Sequence, residues 1–488
     1  MNMHTSKAPL LVVAVLLVGL GCPPPVPADP PAAAPVTPPT GSTLRFLSLA
    51  IRDVPPSIEE TTAFLAGDRS LDSFTTEWLA SPQHEARVRR YFSDFFGLTV
   101  GFTPFDQFLL EPNASGVYRL ASKPDCTLDE AVAAPAWWLD EGETILMCPT
   151  SLSDEVVFPL VTDDPTCVGI DPSEVGSGCF VLCNAVANQQ SDPRCGCGRE
   201  QLLCLPCEQT GADPSTCDVV GRPDLTRNRE VERDFNQESV ERGLFAYQQN
   251  LSWFDYLGGD FFYGTRGLYL SYLLGQGAIF TQEVSTADAV AQIRALPVVG
   301  SGRAPWPTGV MPRAGLVTSP GYLDTYNTVR GRARALSQRL LCHDVDETLN
   351  IDDFRDYPNP NHTPADIAHG SNPRCNFCHF GMDNQAAMLF GYDRDGTAQF
   401  INIQSQIGHV FGEDGVGPAD LIRGYVERGP GFDECMAKRA FNSFSGLSFD
   451  QVLTDAERAE FTRLAKGGPK PLIEGILQSP ILLRAAPQ

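Results

Sequence analysis

The 488-residue sequence predicts a mainly α-helical protein: a multi-helical body with a C-terminal helical domain and an insertion rich in loops and disulfides. Apolar and aromatic residues recur at helical spacing before residue 98 and again after residue 226. Helix-start signatures with Glu three residues after Ser or Thr occur at Ser57 and Thr454. Helical periodicity fades between residues 121 and 222, where ten of the fifteen cysteines lie. The three observations together give the fold class.

Residues 1–21 have the pattern of a signal peptide, which predicts export. Lys7 precedes an apolar run from Ala8 to Gly21 that is too short to span a bilayer comfortably. Small residues directly before Cys22 resemble a bacterial lipoprotein signal, although Gly19 stands where that pattern usually has leucine. We expect lipidation of Cys22, with ordinary secretion and nearby cleavage as the alternative.

Residues 22–43 are predicted to form a lipid-anchored, proline-rich linker. Nine prolines and no aromatic residue occur between positions 23 and 42. Such a stretch favours a semi-rigid polyproline-like spacer that reaches at most ~60 Å, at about 3.1 Å per residue. The expected partner at its lipidated end is a membrane.

Residues 44–120 are predicted to form an N-terminal helical unit. Ser57 and Glu60 have the spacing of a capping box, and Ser81-Pro82 supplies an N-cap followed by proline at the first helical position. Phe92 and Phe95 then recur at helical spacing, which is typical of core residues.

Residues 121–225 are predicted to form a cysteine-rich insertion of loops and short strands. In a cytosolic protein the cluster from Cys195 to Cys207 would be a candidate zinc or iron–sulfur site, but disulfides are expected in an exported chain. The spacing assigns no individual pair. The disulfide candidates in the whole chain are Cys126, Cys148, Cys167, Cys179, Cys183, Cys195, Cys197, Cys204, Cys207, Cys217, Cys342 and Cys435.

Apolar residues at helical spacing occur again in a central unit, residues 226–345, and in a C-terminal domain, residues 346–488. The aromatic run between Val240 and Leu274 indicates packed helices. In the C-terminal domain Thr454 and Glu457 begin one helix, and a closing helix is expected around residues 472–477.

The segment Cys375-Asn376-Phe377-Cys378-His379 has the C-x-x-C-H pattern of covalent haem c attachment. Each cysteine would form a thioether with the haem, and His379 would ligate the iron as the proximal ligand. A short Cys375–Cys378 disulfide and a metal knuckle that uses His379 are the alternatives. One lipidated, twelve disulfide-bonded and two haem-bound cysteines would account for all fifteen.

The sequence does not determine which residue would be the distal ligand of the iron. Met436 is the first candidate, because it lies on a separate predicted helix, 57 residues after His379. Met382 is an alternative, but three residues after His379 it lies on the same helical face and would have difficulty reaching the far side of the iron. Met388 and His409 are weaker candidates. A His/Met pair favours electron transfer, whereas an open iron would allow peroxide or oxygen chemistry.

Several blocks of the sequence carry a family resemblance: RCNFCHFGMD (374–383), FGYDRDG (390–396), FDECMAKRAF (432–441), LIEGILQSP (472–480), the passage 313–342 and LRFLSLAIRDVPPSIEE (44–60). They resemble those of the planctomycete-type cytochrome-c-like secreted proteins, which also occur in other Gram-negative bacteria. The resemblance implies a mostly helical fold with a cytochrome-c-like C-terminal domain, export and haem binding. Together with the signal at Cys22, it predicts a place in the Gram-negative cell envelope, lipid-anchored at the outer membrane and facing the periplasm or the cell surface.

The composition excludes some function classes and leaves three. A net charge of −24 and a pI of about 4.6 argue against a nucleic-acid partner. Zincin, nucleophile-elbow and P-loop motifs are absent from the sequence. We expect a haem c lipoprotein that exchanges electrons with a redox partner protein. The alternatives are a peroxidase-like haem oxidoreductase and a disulfide-stapled cell-surface interaction protein without haem.

Overall fold

Helices make up most of the structure, which confirms the prediction of a mainly α fold. The computed structural model describes residues 40–98, 108–120, 124–151, 197, 201–202, 204–206, 229–275, 286–297, 300–307, 313–343, 382–392 and 407–485.

Four helices form the N-terminal region, and the second and fourth start at the predicted signatures. Ser57 accepts a hydrogen bond from the backbone N–H of Glu60, whose carboxylate accepts from the N–H of Ser57. Ser81 caps the next predicted helix, with Pro82 at its first position. The helices are α1 (Gly41–Arg52), α2 (Ile58–Leu65), α3 (Leu71–Leu79) and α4 (Pro82–Phe96).

A five-stranded sheet follows, with the strand order β3-β4-β2-β1-β5. The pairs β1–β2 and β3–β4 are antiparallel, whereas β2–β4 and β1–β5 are parallel. The strands are β1 (Phe108–Pro112), β2 (Tyr118–Leu120), β3 (Val132–Pro135), β4 (Thr144–Met147) and β5 (Cys204–Pro206).

The first two strands differ from the sequence prediction. Residues 108–120 were expected to end the N-terminal helical unit, but they form β1 and β2 and pair with strands of the predicted insertion. The physical reason is that β1 is completed by β5, almost 100 residues further along the chain. Short strands held by such distant partners leave little periodicity in the sequence.

Two disulfides connect parts of this region. Cys126 bonds Cys148, and Cys197 bonds Cys204. These four candidates are therefore confirmed as disulfide cysteines. The candidates Cys167, Cys179, Cys183, Cys195, Cys207 and Cys217, together with Cys22, lie outside the described residues.

The central region returns to helices, with one antiparallel pair, β6–β7, between them. Arg242 is fully buried and donates hydrogen bonds of 2.6–3.0 Å to four main-chain carbonyls in residues 255–261. These hydrogen bonds hold the end of α6 and the residues that follow it against α5. The elements are α5 (Arg229–Gln248), α6 (Trp253–Gly258), β6 (Phe262–Gly264), α7 (Arg266–Gly275), α8 (Thr286–Arg294), β7 (Gly302–Ala304), α9 (Pro320–Thr325) and α10 (Val329–Leu336).

The C-terminal region contains a short hairpin and further helices. Thr454 and Glu457 form the predicted capping box. Among the described helices of the whole chain, none has the length and apolar character needed to cross a membrane. The elements are α11 (residues 382–387), β8 (Ile407–Val410), β9 (Glu413–Val416), α12 (Gly417–Arg428), α13 (Phe432–Ser445), α14 (Phe449–Val452), α15 (Asp455–Ala465), α16 (Pro469–Gln478) and α17 (Pro480–Ala485).

The N-terminal, central and C-terminal helices share one hydrophobic core. Side chains of α1, α3 and α4 pack with those of α5, α6, α9, α10 and α12–α17. A second core lies under the five-stranded sheet and includes residues of α7, α8 and the β6–β7 pair. The five-stranded sheet is therefore packed on the part of the central region between Phe235 and Ala304.

A buried polar chain also joins all three helical regions. The Nδ1 of His84 on α4 lies 2.9 Å from the carbonyl oxygen of Ile51, and its Nε2 lies 2.8 Å from the hydroxyl of Tyr247 on α5. That hydroxyl lies 3.0 Å from a carboxylate oxygen of Glu474 on α16. Burial lowers the pKa of His84 below its ordinary 6.5, against the opposing effects of the Ile51 carbonyl and Glu474. His84 is therefore neutral in the folded protein at pH 7.

We expect His84 to make the protein less stable in acid. Because its pKa is lower in the folded than in the unfolded state, the unfolded chain binds the extra proton as pH falls through 6.5. The free energy of unfolding should fall by up to about 1.4 kcal/mol per pH unit in this window. Urea unfolding at pH 8 and pH 5 should show a smaller loss in His84→Gln than in the wild type. His343→Gln, which changes an exposed histidine, is the control. An equal acid loss in His84→Gln and the wild type would contradict the assignment.

Candidate functional site

The predicted haem-attachment residues Cys375, Cys378 and His379 lie outside the described residues. The structure describes the chain on both sides of them, up to residue 343 and again from residue 382. The candidate site is therefore defined by the elements that hold the chain at residues 343 and 382.

A disulfide between Cys342 and Cys435 holds the first end. The two cysteines are 93 residues apart in the sequence, so the bond closes a loop that contains the whole C-x-x-C-H motif. Cys342 follows a single π-helical turn, Ser337–Leu341, and Cys435 lies in the first turn of α13. Both were predicted disulfide candidates, and the structure shows them paired with each other.

Helix α11 is described from residue 382, three residues after the motif, and this part of it contains a run of buried polar side chains. Met382 is half-buried, whereas Asp383, Asn384 and Gln385 are each less than 10% exposed. Buried polar groups need hydrogen-bond partners to offset the loss of water. This run therefore indicates specific contacts in this part of α11.

Asp383 forms a two-point ion pair with Arg330 of α10. The guanidinium Nε lies 2.5 Å from Oδ1, and its terminal nitrogen lies 3.1 Å from Oδ2. Two parallel hydrogen bonds of this type restrict orientation as well as distance. The pair fixes α11 to the helix that leads into Cys342.

Gln385 takes part in a second buried contact. The hydroxyl of Tyr425 on α12 donates a 2.6 Å hydrogen bond to Gln385 Oε1 and lies 2.8 Å from the Ser337 hydroxyl. Burial raises the pKa of Tyr425 well above its ordinary value, so the hydroxyl stays protonated. The Gln385 Nε2 has no hydrogen-bond partner in the part of the chain that the structure describes. If the Oε1 and Nε2 positions of Gln385 were exchanged, the oxygen would be the atom without a partner, because the Tyr425 hydroxyl contacts only one of the two.

The β8–β9 hairpin lies directly against α11. A Cβ atom on Gly408 would be 2.1 Å from the Asn384 carbonyl oxygen, and one on Gly415 would be 2.7 Å from the Met388 methyl carbon. Only glycine allows this approach at the two positions. The fully buried Met388 is thus enclosed between helix and hairpin.

His409 lies on the same hairpin, next to Gly408. Its Nδ1 is 3.0 Å from a carboxylate oxygen of Asp414, its cross-strand partner. The side chain is 3% exposed, although that of Asp414 is largely exposed. A carboxylate on one ring nitrogen is the arrangement that orients histidines bound to metals through the other nitrogen. The sequence does not show that His409 is buried.

Met436 occupies a different environment. It is fully buried in the main core, adjacent in sequence to Cys435. Its neighbours in that core are aliphatic and aromatic side chains, so it has a packing role whether or not it also contacts a metal. Among the described residues, no group of three or more His, Cys, Asp or Glu side chains is arranged to hold a metal ion.

We expect the Cys342–Cys435 bond to stabilise the protein more than the other described disulfides. Closing a 93-residue loop should contribute about 4–5 kcal/mol through the entropy of the unfolded chain, against about 3–4 kcal/mol for the 22-residue Cys126–Cys148 loop. Denaturant unfolding of the two Cys→Ser double variants measures the difference. A larger loss from the Cys126–Cys148 variant would contradict this ranking.

Comparison with protein-family models, with curated proteins and with solved structures found no match to this chain. The family assignment suggested by the C-terminal motifs stays a prediction.

Proposed function

We propose that the chain is an exported lipoprotein that carries one covalently attached haem c and transfers electrons. The observation that carries the proposal is the Cys375-x-x-Cys378-His379 sequence, since this spacing is what covalent haem attachment needs. Cys22 would anchor the protein to the outer membrane of a Gram-negative cell envelope, and residues 23–43 would separate the body from the bilayer. The segment from 346 onward would then be the cytochrome-c-like domain.

The cysteine pairing supports this proposal. Six of the twelve disulfide candidates are paired with one another in the described residues, and none of them with Cys375 or Cys378. None of these six cysteines is therefore a disulfide partner of Cys375 or Cys378. Paired structural cysteines also agree with an exported, oxidising environment.

The elements around the motif support a fixed cofactor position. The disulfide at Cys342 and the Arg330–Asp383 pair restrain the chain before and after the motif. The unpaired amide atom of Gln385 is a buried polar group that a cofactor with polar substituents could satisfy. These features fit haem, and the residues that would hold it are Cys375, Cys378 and His379.

When bound, haem would supply a one-electron redox couple whose potential depends on its axial ligands. The residues of this chain would bind it covalently, orient it and limit its contact with water. Met436 would be the first candidate for the distal ligand, because it lies on α13, a helix separate from the motif. Met382 and the buried His409, whose Nδ1 lies 3.0 Å from a carboxylate oxygen of Asp414, are the alternatives.

Covalent haem is the first test. The full chain, exported in cells that have a cytochrome c maturation system, should retain haem after denaturation, as shown by haem staining and a pyridine haemochrome spectrum. Cys375→Ser/Cys378→Ser should lose the stain, while Cys126→Ser/Cys148→Ser should keep it. A wild-type protein without covalent haem would leave the disulfide-stapled cell-surface interaction protein as the function.

The distal ligand is the second test. We expect a low-spin, six-coordinate spectrum in the wild type and a high-spin spectrum in Met436→Ala, because that substitution would remove an axial ligand. Met436→Ala should also lower the free energy of unfolding by about 2–5 kcal/mol through its core cavity. A low-spin Met436→Ala protein together with a high-spin His409→Ala protein would assign the ligand to His409 instead. A high-spin wild type that reacts with peroxide would favour the peroxidase-like oxidoreductase.

A further inference from the structure

A cavity of ≈ 390 Å³ lies between α4, α5 and the start of α7. Its volume is within the ~300–1,000 Å³ typical of small-molecule sites. The lining side chains become less exposed from Gln237 and Arg89 at the rim to Glu238 and Leu268, which are almost completely buried at the floor. The cavity therefore has an open rim and a closed floor.

Three carboxylates line this cavity, and two of them have partners of their own. Asp234 accepts a hydrogen bond from the Thr265 hydroxyl. Glu241 forms an ion pair with Arg89, which is the only cationic residue among the lining residues that the structure describes.

The third carboxylate, Glu238, is incompletely satisfied. The Tyr272 hydroxyl lies 2.9 Å and 2.8 Å from its two oxygens and is its only hydrogen-bond partner among the described residues. One hydroxyl has one hydrogen, so at least one oxygen of the ionised carboxylate lacks a donor. Glu238 is only 2% exposed, and leaving a buried charged acceptor without a donor is unfavourable.

Two buried arginines act on Glu238 without completing its hydrogen bonds. Arg242 and Arg313 favour its ionised form electrostatically, while burial is the larger effect and raises the pKa of Glu238 to about 7. Arg242 donates to four main-chain carbonyls, and Arg313 donates to the carbonyl of Thr318. Neither arginine lines the cavity.

We propose that this cavity binds a small organic cation with N–H donors, of the primary alkylammonium class, whose ammonium group donates to Glu238. The cation would supply the missing donor and offset the excess of carboxylates. Leu268 and the ring of Tyr263 line the same cavity and would contact a short alkyl chain. This inference is independent of haem attachment.

Isothermal titration calorimetry of the full chain with n-butylamine tests the proposal. We expect one binding site per chain. n-Butanol has the same alkyl chain without the charge, and tetramethylammonium has the charge without an N–H donor. Each should bind at least about tenfold more weakly, because a hydrogen bond between charged groups is lost. Equal binding of either compound, or no binding of n-butylamine, would overturn the proposal.

Variants test the role of Glu238 itself. Glu238→Gln should weaken n-butylamine binding by at least about tenfold, while Glu77→Gln, at an exposed position on α3, should leave it unchanged. Unchanged binding by Glu238→Gln would also overturn the proposal. Thermal unfolding at pH 8 checks that this variant folds. Its melting temperature should equal or exceed the wild-type value, since it removes a buried charge.

A proton-release measurement does not depend on any variant. Because the pKa of Glu238 is about 7, part of the protein is protonated at pH 7, and an ammonium ligand would select the ionised form. Titrations at pH 7 in buffers of different ionisation enthalpy should show a net release of protons when n-butylamine binds. Binding without proton release would contradict the role of Glu238.

Discussion

The burial of Trp253 is the interaction on which the helical body depends. Its indole stacks on Phe95 of α4 with 5.9 Å between ring centroids and meets Phe432 of α13 edge-on at 6.4 Å. Its Nε1 donates a 2.9 Å hydrogen bond to the carbonyl of Ala465 at the end of α15. A single central side chain therefore contacts helices from both ends of the chain, and both its apolar body and its polar atom are satisfied.

Local features of this fold were predictable from the sequence, and distant contacts were not. The capping boxes at Ser57 and Thr454 follow from four consecutive residues, because the side chain bonds only to its own first turn. The aromatic run that contains Trp253 was correctly interpreted as packing. The strands β1 and β2 are short, and although they pair with each other, they are completed by β5 and β4 further along the chain, so their own sequence does not predict them. One core shared by three predicted units was missed for the same reason.

At the candidate site, too, local features are visible in the sequence and distant contacts are not. The polar residues Asp383 and Gln385 are visible in the sequence directly after the motif, but their partners Arg330 and Tyr425 lie 53 and 40 residues away. Only the folded chain shows that these side chains are buried and how they are paired. The C-x-x-C-H pattern is local and visible in the sequence, whereas the environments of His409 and Met436 depend on packing that no spacing rule gives.

The shared core has a consequence for the order in which the protein can be made. Helix α16 contacts α1, α3 and α5, so residues 469–478 complete the surface on which the first helices pack. The ribosome synthesises α16 almost 400 residues after α3. The apolar surfaces of α1 and α3 that pack on α16 stay uncovered until then, and exposed apolar surface of this kind is what chaperones bind. Completion of this core therefore waits for the synthesis of α16.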